Sequence, residues 1–346
     1  MTLILTFATP NYLLQVSDRL VTQGTKAFDP ASNKNVIYHA KNAIVAIGYS
    51  GRAYMDGTAT DRWIAEKLRG EKFRDHAPGE PYTVKMGRAE RWLDIGQSIE
   101  LLRRESAEVF CRLPASQRTR HHITIAGWQW QRRQDWLLPR PLLCEISNGE
   151  SEAERHAFKC DQVPRYWHWA RKYPIQLSWV PDWNPLSKGE IDQLLEKLRY
   201  TWPSPQASVN LLIGAIRFAA QKSPKVVGAD CMGVYMPVLS SGVVHVRYLP
   251  ADERERAFIS DDKVRTKFRP TYSPWIIGPG LVAAPSIMMG SASASLGPVT
   301  VSIEGPDPSP ISDSPSGSGG FTQAVFTKKR PLDPAGAASQ STKEFL

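Results

Sequence analysis

Residues 1–20 read MTLILTFATPNYLLQVSDRL. Leu3 to Ala8 and Tyr12 to Val16 are apolar runs of strand length, and Pro10-Asn11 between them is turn chemistry, so the pair reads as a β-hairpin. A second pair follows, Val36 to Ala40 and Ala43 to Gly48 across Lys41-Asn42. The chain therefore opens with four strands. Thr2 stands directly before the first of them. If Met1 is removed, a hydroxyl and a free amine share one Cα.

Helical spacing takes over next. Trp63, Ile64 and Leu68 share a face that stops at Gly70, and Ile99, Leu102, Val109, Phe110 and Leu113 mark a longer helix closed by Pro114. Strands return at His122 to Ala126, Leu142 to Ser147 and Pro174 to Val180, with GWQWQRRQDWLLPRP between the first two read as an elaborated loop. Ser187-Lys-Gly-Glu190 is a capping box opening a third helix, and Ser204-Pro205 is an N-cap with proline at the first helical position of a fourth. Cys231 to Val238 and Val243 to Tyr248 form a closing hairpin. Strand runs alternating with helix pairs predict an α+β fold, a four-layer αββα sandwich in which two sheets face each other and helices cover both outer sides.

Three segments follow from composition. Residues 1–250 carry the sandwich, with Trp- and Arg-rich insertions. Residues 251–304 begin with the charged ADERERAFISDDKVRTKFRP and continue with the Pro- and Gly-broken PWIIGPGLVAAPSIMMG, which reads as an irregular extension. Residues 305–346 begin GPDPSPISDSPSGSGG, too poor in large apolar residues to pack, and read as a disordered tail.

The 346 residues contain 43 Lys and Arg against 34 Asp and Glu, a formal charge of +9. Spread over the whole chain, that excess reads as solubility and steering. No signal peptide is legible, and no stretch approaches the ~18 apolar residues of a membrane span. Cys111, Cys144, Cys160 and Cys231 lie far apart with no CxxC, which suits reduced thiols in a cytoplasm better than a disulfide framework or zinc site.

Four residues near the start have side chains suited to one reaction: Thr2, Asp18, Thr22 and Lys34. A threonine hydroxyl needs an adjacent base to act as a nucleophile. An N-terminal threonine carries its own, an α-amine whose ordinary pKa is about 7.7–8.0. A buried lysine ammonium nearby disfavours the protonated amine, and a carboxylate beside that lysine keeps it charged. Asp18, after the second strand, and Lys34, before the third, are placed to meet beneath the start of the first.

In the spacing of these four residues the sequence resembles the proteasome β-subunit branch of the N-terminal nucleophile (Ntn) hydrolases, and most closely the bacterial proteasome-like threonine peptidase that works with an unfolding ATPase. The likeness extends to YSGRAYMDG, ITIAGW, PLLCEISNGE and SPKVVGADCMGVYM. It implies the same sandwich over roughly residues 2–250. It also implies amide or peptide hydrolysis through an acyl-enzyme, no metal or organic cofactor, and self-association into a homo-oligomer. By the same resemblance Gly51 supplies an oxyanion N–H, and Ser178 in QLSWVP stands for the family's supporting serine. Leu3 departs from the small or polar residue usual after the threonine, and Ser178 lacks the flanking glycines.

Two rival readings remain. One is a non-catalytic sandwich serving as a binding or assembly module. The other takes WQWQRRQDW and PRYWHWARKYP for a nucleic-acid surface, since aromatics stack bases and Arg contacts phosphate. The preferred reading is a Trp-rich insertion that covers the sandwich or forms a subunit contact, where aromatics and Arg are also enriched. His121-His122 offers no metal set, because neighbours on a strand point to opposite faces.

Overall fold

In the computed structural model the first hairpin consists of β1 (Ile4–Ala8) and β2 (Tyr12–Asp18). Every residue of both strands is buried, which places the hairpin inside a sheet covered on both faces. Thr9 fixes its turn, the Oγ1 accepting from Asn11 N (3.2 Å) and Tyr12 N (2.9 Å). The structure describes residues 2–304 except 24–25, 30–31, 74–83, 87, 134–135, 150, 152–153, 163–175, 181–184, 239–242, 250, 252–272, 286–290 and 296–299. The 305–346 tail and PRYWHWARKYP thus lie outside the described residues.

Along the chain follow β3 (Val21–Gln23), β4 (Lys26–Asp29), β5 (Asn35–Ala40), β6 (Ala43–Ser50), β7 (Tyr54–Met55) and β8 (Thr58–Ala59). Helix α1 (Thr60–Arg69) ends where Gly70 takes φ +86°, a left-handed C-terminal stop. Next come β9 (Val84–Met86), α2 (Ile95–Arg112), β10 (His122–Arg133), β11 (Trp136–Asn148), β12 (Phe158–Gln162) and β13 (Gln176–Val180). Helix α3 (Lys188–Thr201) opens with the reciprocal Ser187/Glu190 box, and α4 (Pro205–Lys222) with Ser204 as cap and proline in its first turn. The chain closes with β14 (Cys231–Pro237), β15 (Val243–Leu249), β16 (Trp275–Ile277), β17 (Leu281–Ala283), β18 (Ser291–Ser295) and β19 (Thr300–Glu304).

The fold is α+β. One sheet of seven strands runs β13-β1-β2-β14-β15-β19-β18, and one of eight runs β12-β11-β10-β6-β5-β16-β17-β9. Both are mixed: β15 pairs β19 in parallel and β5 pairs β16 in parallel. Three apolar clusters hold these elements. Trp63, Ile64 and Leu68 of α1 and Leu102 and Phe110 of α2 pack with Tyr38, Val45 and Ile125. Leu5, Phe7 and Leu14 pack with Leu198 of α3 and Leu212 and Ile216 of α4. The third cluster draws on both sheets, Leu13 and Val234 from one and Ile37, Ile44 and Ala46 from the other. Tyr38 and Ile37 fall in different clusters because successive strand residues face opposite ways.

Two expectations need revision. The segment read as a loop after Ala126 is instead an extension of the β10–β11 hairpin, in register from His122↔Ser147 to Arg133↔Trp136. Pro139 and Pro141 are tolerated inside β11. They are two residues apart and so present their nitrogens to one side, where β12, in register only with Cys144–Asn148, does not reach. Secondly, residues 275–304 hold four strands rather than irregular chain, and these strands join both sheets. Their pattern is illegible locally: β16 and β17 are three-residue runs set among Pro and Gly, and SASAS in β18 has no large apolar residue. Pairing with strands already in place makes them β.

Candidate active site

Thr2 precedes β1 and is only 5% exposed. Ser50, at the end of β6, donates its hydroxyl to the Thr2 carbonyl at 3.0 Å. The residue after Thr2 is gripped by Asp18: Leu3 N donates to Asp18 Oδ1 at 2.7 Å, and Asp18 N donates to the Leu3 carbonyl at 3.1 Å. The other carboxylate oxygen, Oδ2, accepts from Leu20 N (3.1 Å), Gly228 N (3.0 Å) and Lys34 Nζ (3.1 Å). The Lys34 ammonium also donates to the Leu20 carbonyl. Both side chains of this ion pair are wholly buried.

The pair joins the two large sheets, since Asp18 ends β2 and Lys34 leads into β5. The Asn35 side chain repeats the crossing by donating to Ser17 Oγ at 3.0 Å. Burial costs several kcal/mol per ion, and Coulomb attraction at this separation returns about 5 kcal/mol at an effective dielectric of 20. The attraction alone does not decide the balance. The three backbone N–H groups on the carboxylate do, because each charge-assisted bond adds roughly 1.5–3 kcal/mol. The arrangement therefore gives the buried carboxylate four donors and the buried ammonium two acceptors. It puts the Lys34 ammonium two hydrogen bonds from the backbone that follows Thr2, with the Asp18 carboxylate between them.

Gly51 follows Ser50 at φ +108°, where an added Cβ would lie 2.2 Å from the Arg120 carbonyl oxygen. Only glycine fits that bend, which brings the Gly51 backbone next to the residue holding Thr2. Ser178 is not brought to the same place. Its position in β13 is opposite Thr6, four residues along β1 from Thr2, or about 13 Å at ordinary strand rise. Thr22 sits in β3, opposite Ala27 in a small two-stranded sheet.

Three residues around the site escaped the sequence reading. Ser50 stands beside Gly51 in YSG, where its sequence reads only as a strand end. Gly228 lies in VVGADC; its Cβ would meet Leu20 Cβ at 2.8 Å, so the absence of a side chain lets its N–H reach Asp18. Arg19 is buried beside Asp18, donating to the Ser32 carbonyl (3.3 Å) and Asn33 Oδ1 (3.4 Å) and lying over the Tyr248 ring at 4.7 Å. No local signal marks a basic side chain after a strand as buried.

His121 stands just before β10 and His122 is its first residue, and the two rings have different partners. His121 accepts from Arg52 N at 3.2 Å, and burial, reinforced by His122 and Arg52, pushes its pKa down to about 3. His122 Nδ1 lies 2.8 Å from Glu145 Oε1. Among the described residues no three His, Cys, Asp or Glu side chains gather as a metal set, and no helix is long and apolar enough to cross a membrane.

No known protein family matches the chain, and no curated protein does. Among solved structures it is similar to Anbu (ancestral beta-subunit) from Yersinia bercovieri at 11% identity and a TM-score of 0.39, covering 68% of this chain and 81% of that one. It is also similar to an Anbu (Gly-1) mutant from Hyphomicrobium sp. strain MC1 at 10% identity and a TM-score of 0.38, covering 68% and 82%. Likeness at this level carries no argument about descent. The assignment to the proteasome β subunits, with the ATPase-partnered bacterial peptidase as nearest relative, is therefore corrected: no known family matches the chain, and both large sheets are mixed. The spacing that suggested the assignment involves four positions out of 346, too few to fix ancestry even where they meet in space.

Proposed function

We propose that this protein is an N-terminal threonine hydrolase that cleaves an amide bond, in a peptide or small amide, through an acyl-enzyme ester. One observation carries the reading: a single buried carboxylate, Asp18, holds the Leu3 N–H on one oxygen and the Lys34 ammonium on the other. The three clusters support a layer order of helices, sheet, sheet, helices, with Thr2 at the end of a strand in one inner sheet.

In the working protein Thr2 is the first residue, Met1 having been removed in a cytoplasm. The Thr2 amine, kept neutral by the Lys34 charge, takes the proton of its own hydroxyl as Oγ attacks the amide carbonyl. The negative oxygen that develops is met by the Gly51 N–H. The amine returns the proton to the leaving nitrogen, the C–N bond breaks, and the acyl group remains on Oγ as an ester. Water, deprotonated by the same amine, then cleaves that ester. Asp18 and Lys34 are positioning residues here, and Ser178, at its distance along β1, is left without a step.

Intact-mass measurement before and after a peptide epoxyketone tests this, because the reagent closes a ring only with a hydroxyl and an amine on one Cα. The expected result is a mass lacking Met1 and one adduct, absent in Thr2→Ala. Retained Met1, or equal labelling of the folded Thr2→Ala variant, overturns the reading and leaves the Asp18–Lys34 pair as a purely structural clamp in a binding or assembly module.

A further inference from the structure

The fold brings two of the four cysteines together. Cys144 lies in β11 and Cys160 in β12, where the register pairs Cys144 with Gln162 and Ile146 with Cys160. Both residues therefore face one side of the sheet as a diagonal pair, and their sulfurs are 3.1 Å apart. That gap is only about 1 Å longer than a disulfide bond, and because diagonal neighbours lie about 7–8 Å apart, closing it also draws β12 slightly toward β11. Cys144 is buried, whereas Cys160 is half-exposed. The remaining two stand apart, Cys111 exposed on α2 and Cys231 buried in the other large sheet.

We propose that Cys144 and Cys160 are a modification site, oxidised by a hydroperoxide to an intrachain disulfide that staples the outermost strand of the eight-stranded sheet to its neighbour. The half-exposed thiol reacts first. The Cys160 thiolate attacks the peroxide's terminal oxygen, the O–O bond breaks, and an alcohol (water, for hydrogen peroxide) departs, leaving a sulfenic acid. The Cys144 sulfur then attacks the Cys160 sulfur. The S–O bond breaks, the hydroxide leaves with the Cys144 proton as water, and the S–S bond forms. Two thiols lose two electrons and the peroxide gains them.

Burial raises the Cys144 thiol above its ordinary range, and its contact with Cys160 adds to the effect. That suits the resolving partner, which waits as a thiol until a sulfenic acid forms 3.1 Å away. The cross-link also reaches the helix layer. Phe158 of β12 packs edge-on against Phe110 of α2 at 5.0 Å, and its carbonyl accepts from Arg103 at 3.2 Å. Pinning β12 thus pins what α2 rests on. The inference is independent of the Thr2 chemistry.

The test treats the full-length folded protein with one equivalent of hydrogen peroxide, blocks free thiols with iodoacetamide, and maps peptides by mass spectrometry. The expected product joins the Cys144 and Cys160 peptides while Cys111 is alkylated, and its Tm rises by about 5 °C, a rise reversed by dithiothreitol. In Cys144→Ser, Cys160 should instead accumulate a sulfenic acid captured by dimedone. If Cys111 oxidises while the β11–β12 pair stays unlinked, or if Cys160 gives equal dimedone adducts with and without Cys144, the proposal is overturned.

Discussion

Two buried polar regions lie on opposite sides of the bend at Ser50–Gly51, and they handle burial in contrary ways. At Asp18 and Lys34 the charges are kept. Four donors meet the carboxylate, and the couple bridges sheets built from distant parts of the chain. At His121 the charge is refused. The ring sits among Phe110 and Phe158, Nδ1 takes one backbone N–H, and Nε2 has no partner among the described residues. Burial alone thus does not decide ionisation. The number of compensating groups decides it, and the outcome is a hydrogen-bonded ion pair in one place and a neutral imidazole in the other.

Breaking the first region should have the largest effect. Lys34→Met leaves the Asp18 carboxylate uncompensated and should cost about 3–5 kcal/mol in denaturant unfolding. Adding Asp18→Leu should recover a large part of that. A single-variant cost under about 1 kcal/mol would show that the charges are not locked as described.

The second region should respond to acid. His121 is held near 3 when folded against 6.5 ordinarily, so the unfolded chain takes up a proton that the folded chain refuses. Its contribution to stability is full above pH 6.5 and is lost as pH falls from there toward 3. The loss should reach about 2 kcal/mol by pH 5, taking 1.36 kcal/mol for each pH unit below 6.5. His121→Leu should flatten that slope, at a cost of about 1 kcal/mol at neutral pH for the Arg52 N–H it orphans. An unchanged slope would move the acid sensitivity elsewhere.

Between the two regions stands Gly51. Gly51→Ala places a Cβ against the Arg120 carbonyl and the His121 Cα at a positive φ, and should cost about 1–3 kcal/mol by thermal unfolding. If the regions are mechanically joined, the same variant should also perturb the His121 titration followed by NMR.

An exposed pair sets the lower end of the scale. Lys222 Nζ lies 2.7 Å from Glu190 Oε1 and, with the Ser187 bonds, draws that carboxyl down to about 2. Lys222→Ala should let Glu190 titrate closer to the ordinary carboxylate range while Tm barely moves, because exposed pairs contribute little. A Tm drop comparable to that of Lys34→Met would erase the contrast between buried and exposed charge.

Much of the framework could be read directly. The turn at Thr9–Tyr12, the Ser187/Glu190 box and the Ser204-Pro205 cap are contacts within four residues, so their signals are local. The outer half of the β10–β11 hairpin and the strands after residue 275 were not legible. Their prolines, serines and three-residue runs become strands only because neighbouring edges supply hydrogen bonds. The site divides in the same way. Asp18 and Lys34 could be nominated because a carboxylate and an ammonium bracketing a strand start suit one reaction. Ser50 and Gly228 could not, since each acts through a single bond to a residue 48 or 210 positions away.

By itself, then, the sequence determined the opening hairpins, the starts of α3 and α4 and the residue types able to share a proton at Thr2. Tertiary structure alone decided which of those groups are buried together, that Ser178 lies apart, and that Cys144 and Cys160 touch. Local patterns record what a segment does with its own backbone. Burial and ionisation depend on what distant segments bring to the same point, and no window along the chain contains that.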